Sequence, residues 1–81
     1  MVNISFDLQF EKKFKKLDTE IKNKLKKRIS KIIESPEVGK PMKYARKGTR
    51  ETYVPPFRLS YVFLEKENLI VFLDLYHKDA Q

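Results

Sequence analysis

The sequence predicts an α+β fold in which an amino-terminal strand and a two-helix hairpin pack with a roughly four-stranded, mostly antiparallel sheet. Apolar residues recur at helical spacing in the first half of the chain and alternate at strand spacing in the second half. A length of 81 residues suffices for one modest hydrophobic core. We therefore expect a single domain over residues 1–81.

The first predicted element is a short strand. Val2, Ile4 and Phe6 alternate with polar residues, and Asp7 ends the pattern. This alternation is typical of a strand with one buried face.

Two helices follow the first strand. Asp18, followed by Thr19 and Glu20, has the pattern of a helix amino-terminal cap, so we divide the helical region into segments 8–17 and 19–34. Ser35-Pro36 ends the second helix, because proline cannot continue it. The apolar stripe of both helices is spaced by three and four residues and comprises Phe10, Phe14, Leu17, Ile21, Leu25, Ile29, Ile32 and Ile33.

The second half of the chain predicts strands. The two strongest runs are Phe57 to Leu64 and Leu69 to Tyr76, which we expect to pair as a central hairpin across Glu65-Lys66-Glu67-Asn68. Two shorter strands are predicted at Met42 to Tyr44 and Thr52 to Val54, with turns at Lys47-Gly48 and Pro55-Pro56.

Charge is the most informative bulk property, since the chain carries a net charge of +7. Residues 12–31 hold ten basic and two acidic side chains, and residues 40–58 hold six basic and one acidic. Three of the four arginines, Arg46, Arg50 and Arg58, lie in the second block. This distribution favours a polyanionic partner, with arginine suited to phosphate contacts.

Several classes of function are excluded by composition. The chain has no cysteine and a single histidine, so we expect no disulfide, no cysteine nucleophile, no thiolate zinc site or iron–sulfur cluster, and no metal site of imidazoles. We expect no cofactor. Its amino terminus lacks a signal-peptide pattern and no apolar run approaches the length of a membrane span, so we expect a cytoplasmic protein.

Arg58 is the first candidate site residue, because its neighbours in Phe57-Arg58-Leu59 are those of a core strand. It either reaches solvent or pairs with Glu51 or Asp74, or it binds a phosphate on the open face of the sheet. Glu51 is either a general base or a cross-strand ion-pair partner.

His77 is the second candidate, at the end of the last predicted strand. If Leu64 pairs with Leu69, Arg58 lies opposite Leu75 and His77 points to the same face as Arg58. A shift of one residue would place them on opposite faces. An arginine and an imidazole on one face are suited to phosphodiester cleavage, as charge stabiliser and general acid.

A wider surface is expected to bind RNA. Tyrosines interleave with the second basic block and can stack on bases, and the lysine-rich helices either form solvated faces or contact RNA phosphates. The predicted RNA-binding residues are Lys22, Lys26, Lys27, Lys43, Arg46, Lys47 and Tyr61.

Three short motifs occur in order along the chain: Phe14-Lys15-Lys16-Leu17-Asp18 in the hairpin, Glu34-Ser35-Pro36 at its end, and Phe57-Arg58-Leu59-Ser60-Tyr61 in the sheet. Their order resembles the RelE/ParE superfamily of toxins from type II toxin–antitoxin systems. The resemblance implies an endoribonuclease that enters the ribosomal A site and cuts mRNA with the substrate 2′-hydroxyl as nucleophile, without a metal. It also implies a cognate antitoxin that blocks the toxin.

The resemblance assigns roles to particular residues. Arg58 matches the strand arginine that contacts the phosphate in RelE-like toxins. Tyr76-His77-Lys78 resembles the carboxy-terminal ends of the YoeB and HigB branches, which supports His77, Lys78 or both as catalytic residues. Arg50 and Glu51 lie where those branches carry a basic or acidic catalytic residue.

Two alternatives follow from the same resemblance. A ParE-like protein would inhibit DNA gyrase through protein contacts and without catalysis. A weakened toxin would act only as a binding module for its antitoxin.

Overall fold

The computed structural model describes residues 2–42 and 48–80, and the following account concerns these ranges. Two α-helices pack on a five-stranded mixed sheet, which confirms the predicted fold class. In chain order the elements are β1 (Asn3–Phe6), α1 (Leu8–Lys15), α2 (Thr19–Glu34), β2 (Lys40–Pro41), β3 (Arg50–Val54), β4 (Phe57–Leu64) and β5 (Leu69–His77), with short 3₁₀ turns at Glu65–Glu67 and Lys78–Ala80.

Both helices begin at an aspartate cap. The Asp7 carboxylate accepts the Gln9 N–H at 2.9 Å, and the Asp18 carboxylate accepts the Ile21 N–H at 2.9 Å, so each satisfies a backbone donor that the helix leaves unpaired. The cap at Asp18 was predicted. The first helix ends at Lys15 rather than at residue 17, because the chain tightens into a turn before that cap.

The strands are ordered β1-β5-β4-β3-β2 across the sheet. β1 runs parallel to β5, and the other neighbouring pairs are antiparallel. The predicted central hairpin is confirmed, with Leu64 opposite Leu69 and Asn68 in the left-handed conformation at its turn. The predicted strand at Met42 to Tyr44 is not: the structure has Lys40–Pro41 as the strand, and Tyr44 lies outside the described residues.

The hydrophobic core lies between the helices and one face of the sheet. Leu25 and Ile32 of α2 have no exposed surface, and they belong to one cluster with Leu59 of β4 and Phe72 and Leu75 of β5. The helices therefore cover the sheet face that carries Leu59, and the face that carries its neighbour Arg58 lies open.

β5 contains one residue more than β4 along their shared ladder. Ser60 pairs with Asp74 while Tyr61 pairs with Phe72, so Leu73 is left without a partner and forms a bulge. Beyond this bulge the register is shifted by one residue, which decides what lies beside Arg58.

No helix in residues 2–42 and 48–80 combines the length and the apolar character needed to cross a membrane.

Candidate functional site

Arg58 lies in the middle of a row of side chains across the open face of the sheet. It pairs directly with Tyr53 on β3 and with Tyr76 on β5. Residues that are opposite in a ladder point to the same face, so these three side chains are neighbours. The Arg58 side chain is 39% exposed, so its guanidinium is partly available to a ligand.

Glu51 is buried beside Arg58. Its side chain is only 4% exposed, and its Oε1 lies 3.8 Å from Nη1 of Arg58. The Tyr76 hydroxyl donates a hydrogen bond to Oε2. A carboxylate buried in this way requires charge or hydrogen-bond partners, and Arg58 and Tyr76 supply both.

Tyr53 and Lys78 complete the group. The Tyr53 ring is 41% exposed, and the Arg58 Cζ lies over it at 5.8 Å from its centroid. The Lys78 ammonium lies over the same ring at 5.9 Å, within the range of a cation–π interaction. The Lys78 backbone N–H donates to the Pro56 carbonyl at 3.1 Å, which holds the chain close to the β3–β4 turn.

We call Glu51, Tyr53, Arg58, Tyr76 and Lys78 the open-face cluster. A groove of about 470 Å³ borders it, lined by Glu51, Tyr53 and Arg58 together with Lys40, Pro41 and Met42. The Nε of Arg58 is buried and has no hydrogen-bond partner among the described residues. Two cations beside a groove, above a single buried carboxylate, give a site suited to an anion such as a phosphodiester.

The prediction that His77 shares a face with Arg58 is wrong. Leu64 does pair with Leu69, but the bulge at Leu73 places His77 opposite Phe57. The imidazole therefore lies on the other face of the sheet, in edge contact with the Phe57 ring at 5.6 Å between centroids. Its Nδ1 accepts the Asp79 N–H at 3.2 Å.

Around His77, the structure forms a second, shallower cleft. Lys13, Lys16 and Leu17 line it together with Phe57 and His77. Lys13 is bound there to Asp74, with 2.8 Å between Nζ and Oδ1. Asp74 thus pairs with α1. Of the two ion-pair partners predicted for Arg58, Glu51 is the one that lies beside Arg58.

Arg50 also lies away from the open-face cluster. It pairs with Tyr61, and its guanidinium donates to the carbonyl oxygens of Glu37 at 3.0 Å and Gly39 at 2.8 Å. The expected grouping of Arg50 with Glu51 fails because consecutive strand residues point to opposite faces. Arg50 binds the loop that follows α2.

Tyr61 is fully buried, which contradicts its prediction as an RNA-stacking residue. Its hydroxyl donates to the Pro36 carbonyl at 2.8 Å and accepts the Gly39 N–H at 2.9 Å. Burial raises the pKa of the Tyr61 hydroxyl, against the opposing effects of the Gly39 N–H and the charge of Arg50. The sequence pattern placed Tyr61 in a strand but did not decide which face of the sheet its side chain occupies.

Some of the basic residues that were predicted to bind RNA lie within the part of the chain that the structure describes, and others do not. Lys43, Arg46 and Lys47 lie outside the described residues. Lys22 is partly buried, with its ammonium 5.8 Å from the centroid of the Phe14 ring, and Lys26 and Lys27 are exposed on α2. Since α2 covers the opposite face of the sheet, these lysines form a surface separate from the open-face cluster.

Sequence reasoning did not assign Tyr53 or Tyr76 to the site. A usable signal existed for Tyr53, because a two-residue turn at Pro55-Pro56 pairs Val54 with Phe57 and therefore Tyr53 with Arg58. No comparable signal existed for Tyr76, because its position opposite Arg58 depends on the bulge.

Within residues 2–42 and 48–80, no group of three or more histidine, aspartate or glutamate side chains is placed to hold a metal ion.

The fold is that of known bacterial and archaeal toxins. It matches the toxin of the E. coli RelBE toxin–antitoxin complex with a TM-score of 0.82 at 18% identity, covering 95% of this chain and 96% of that one. It matches the Mycobacterium tuberculosis RelBE2 complex with a TM-score of 0.83 at 23% identity, covering 96% and 94%. E. coli YafQ matches with a TM-score of 0.76 at 28% identity, covering 99% and 97%.

These similarities define the fold, and the class of protein, a toxin of a type II toxin–antitoxin system, follows from a sequence-family match over nearly the whole chain. A profile of the family described as ParE toxin of type II toxin-antitoxin system, parDE, matches residues 4–81. The chain therefore belongs to this ParE toxin family. A search of curated proteins finds no match.

Proposed function

We propose that this toxin is an endoribonuclease that cuts mRNA on the ribosome and so inhibits translation. The observation that carries the proposal is the position of Arg58, held at the open face between Glu51, Tyr53 and Tyr76 beside a groove. A guanidinium in this position can bind the two non-bridging oxygens of a phosphodiester and stabilise the charge that develops on them during cleavage. Such a reaction takes place in the cytoplasm, where ribosomes and mRNA meet.

The nucleophile in this proposal is the 2′-hydroxyl of the substrate. Its oxygen forms a bond to the adjacent phosphorus while the bond from phosphorus to the 5′ oxygen breaks, which leaves a 2′,3′-cyclic phosphate and a 5′-hydroxyl. The reaction needs one group to accept a proton and another to donate one, and it needs no metal.

We assign the base step to Glu51 acting through Tyr76. Glu51 is buried, and the Tyr76 hydroxyl that donates to it is half-buried. The Tyr76 oxygen accepts the proton of the 2′-hydroxyl as its own proton passes to the Glu51 carboxylate. Lys78, an ammonium on the same face as Arg58, donates the proton to the 5′ oxygen.

The test is primer extension on an mRNA, free and bound to programmed ribosomes. We expect cuts at the A-site codon with ribosomes and none in the free message. A message with a 2′-deoxy nucleotide at the cut position should remain intact, because it lacks the nucleophile. Cleavage of the 2′-deoxy message, or no cleavage by the wild-type toxin, would contradict the proposal.

Arg58→Lys provides the residue-level test. Lysine keeps the charge but loses the planar two-point contact, so we expect loss of cleavage and of growth arrest. Arg28→Lys is the matched control, since the Arg28 guanidinium binds Thr52 at 2.8 Å, at the core side of the sheet. A folded Arg58→Lys protein with full activity would contradict the role of Arg58.

A second candidate function is inhibition of DNA gyrase without catalysis, as in the ParE branch. The family match favours it, because the matching profile describes ParE toxins. Induction of the SOS response and linearised plasmid DNA, with intact mRNA, would decide for this function. Absence of any growth arrest would instead indicate a weakened toxin that only binds an antitoxin.

We also propose that a cognate antitoxin binds at an apolar groove beside the helices. The groove has a volume of about 490 Å³ and is lined by Phe6, Phe10, Phe14 and Ile29, with Lys15 among its basic residues. An amphipathic segment with acidic flanks fits this lining and the net charge of +7. The E. coli and M. tuberculosis relatives were solved as toxin–antitoxin complexes, which supports such a partner.

A further inference from the structure

We propose that Tyr53 is the surface on which one nucleobase of the RNA substrate stacks, next to the phosphate held by Arg58. This inference rests on the proposed nuclease function and adds the residue that positions the substrate strand. The tyrosines in the part of the chain that the structure describes differ sharply in their surroundings.

The hydroxyl groups of two of these tyrosines form hydrogen bonds within the protein. Tyr61 is buried with its hydroxyl bonded to the loop after α2, and the Tyr76 hydroxyl is bonded to Glu51. Tyr53 is 41% exposed and is one of the large hydrophobic side chains that the fold leaves open to solvent. An exposed ring of this kind on the open face of the sheet is available for a ligand.

The surroundings of the Tyr53 ring are suited to a single nucleic acid strand. Arg58 and Lys78 place positive charge at 5.8 and 5.9 Å from the ring centroid. Lys40 lines the groove together with Tyr53 and Arg58. Proteins that bind single strands combine an aromatic surface for the base with cations for the backbone. The open-face cluster presents both within one groove.

The contact of Lys78 with the ring does not block a base. Lys78 is exposed and has a flexible side chain, so its ammonium can move from the ring to a phosphate as a base takes its place. Arg58 is anchored beside Glu51 and holds its position. The base on Tyr53 and the phosphate on Arg58 would then fix the nucleotide next to the bond that is cut.

Stacking tolerates any base, so Tyr53 sets position and affinity rather than a strict sequence. A larger ring system stacks more strongly. We therefore expect a modest preference for a purine at this position, and we expect Tyr53→Ala to reduce that preference.

Binding is tested separately from cleavage with a short RNA that is fully 2′-O-methylated and carries 2-aminopurine, whose fluorescence falls when it stacks. The proteins are the wild type, Tyr53→Phe, Tyr53→Ala and the control Leu8→Ala, which removes an exposed apolar side chain at the start of α1. We expect the wild type, Tyr53→Phe and Leu8→Ala to bind and quench alike. Tyr53→Ala should bind about tenfold more weakly and lose the quenching.

Three results would overturn the inference. These are no quenching by the wild type, binding of Tyr53→Ala within a factor of about two of the wild type, and weaker binding of Tyr53→Ala with quenching retained. Thermal unfolding of each variant checks that the fold is kept.

Cleavage on programmed ribosomes separates this inference from the proposed function. If the wild type cuts and Tyr53→Ala cuts equally well, Tyr53 has no positioning role and the nuclease function stands. If Tyr53→Ala is slow and Tyr53→Phe restores the rate, the inference is supported. If the wild type binds and quenches but never cuts, the nuclease function fails while the stacking surface stands.

Discussion

Arg58 and Tyr76 lie directly opposite each other on β4 and β5, and they do so because β5 carries an unpaired residue at Leu73. Without that bulge, Arg58 would face Leu75 and His77 would share its face. The extra residue therefore places the phenol of Tyr76, and not the imidazole of His77, on the same face of the sheet as Arg58. The chemistry available at the open face follows from this placement.

The first prediction concerns His77 and Lys78, neighbours in sequence that lie in different surroundings. Lys78→Ala should reduce cleavage on programmed ribosomes by about 10²-fold, because it removes a cation from the open-face cluster. His77→Ala should leave most of the activity, because His77 lies on the other face opposite Phe57. A larger loss for His77→Ala than for Lys78→Ala would refute this assignment.

The second prediction concerns the proposed proton relay. Glu51→Gln and Tyr76→Phe should each slow cleavage by about 10²- to 10⁴-fold, because each breaks the path from the 2′-hydroxyl to the carboxylate. The double variant should be no slower than the worse single variant, as expected for residues that act as a unit. Single-turnover rates on programmed ribosomes measure all four proteins, and multiplicative losses would show that the two residues act independently.

The third prediction concerns the approach of Tyr61 to Gly39. A Cβ at Gly39 would lie 2.6 Å from the Tyr61 hydroxyl oxygen and 2.8 Å from its Cε1, so the ring or the loop would have to move. We expect Gly39→Ala to lower the free energy of unfolding by about 1–3 kcal/mol in urea denaturation. The neighbouring exposed Val38→Ala should change it by less than about 0.5 kcal/mol, and equal effects would argue against the steric cause.

The fourth prediction concerns pH and the Tyr61 hydroxyl. At neutral pH, Tyr61→Phe should cost about 1–3 kcal/mol of unfolding free energy, because the buried Gly39 N–H loses its acceptor. Burial raises the folded-state pKa of Tyr61 above its ordinary value of 10.0. The folded chain therefore holds this proton more tightly, and the resulting stability is complete below pH 10.0 and is lost as pH rises through the folded-state pKa.

Urea denaturation of the wild type and Tyr61→Phe at neutral pH and above pH 10 measures this effect. The difference between the two proteins isolates Tyr61 from the lysines and other tyrosines that titrate in the same range. We expect the advantage of the wild type to shrink at high pH. An advantage that stays constant would mean that Tyr61 has the same pKa in the folded and the unfolded chain, which would contradict the effect of burial.

The fifth prediction concerns the antitoxin groove. Lys15→Glu places a negative charge beside Phe6, Phe10 and Phe14, so it should weaken binding of an acidic antitoxin and leave cleavage unchanged. Calorimetric titration of toxin with antitoxin measures the affinity. Lys66→Glu, an exposed change of the same kind in the β4–β5 turn, is the control, and equal weakening by both would indicate only long-range charge.

The elements of this fold were predictable because their signals are local. Asp18 marks the start of α2 by bonding its own helix, and β4 and β5 are visible as apolar runs of neighbouring residues. Arg58 also stood out as a candidate, since a charged residue within a core-like strand requires a partner or a function. These inferences need only residues that are close in the chain.

Which residues form the site depends on contacts between strands that are distant in sequence. Sequence grouped Arg50, Glu51, Arg58, His77 and Lys78 as candidate catalytic residues. The structure places Arg50 and His77 away from the open face, keeps Lys78 beside Arg58, and adds Tyr53 and Tyr76. The reason is that side chains alternate between faces with a period of two, so one unpaired residue at Leu73 reverses the face of everything beyond it relative to β4. The sequence by itself determined the elements and the arginine, and only the packed sheet decided which side chains surround that arginine.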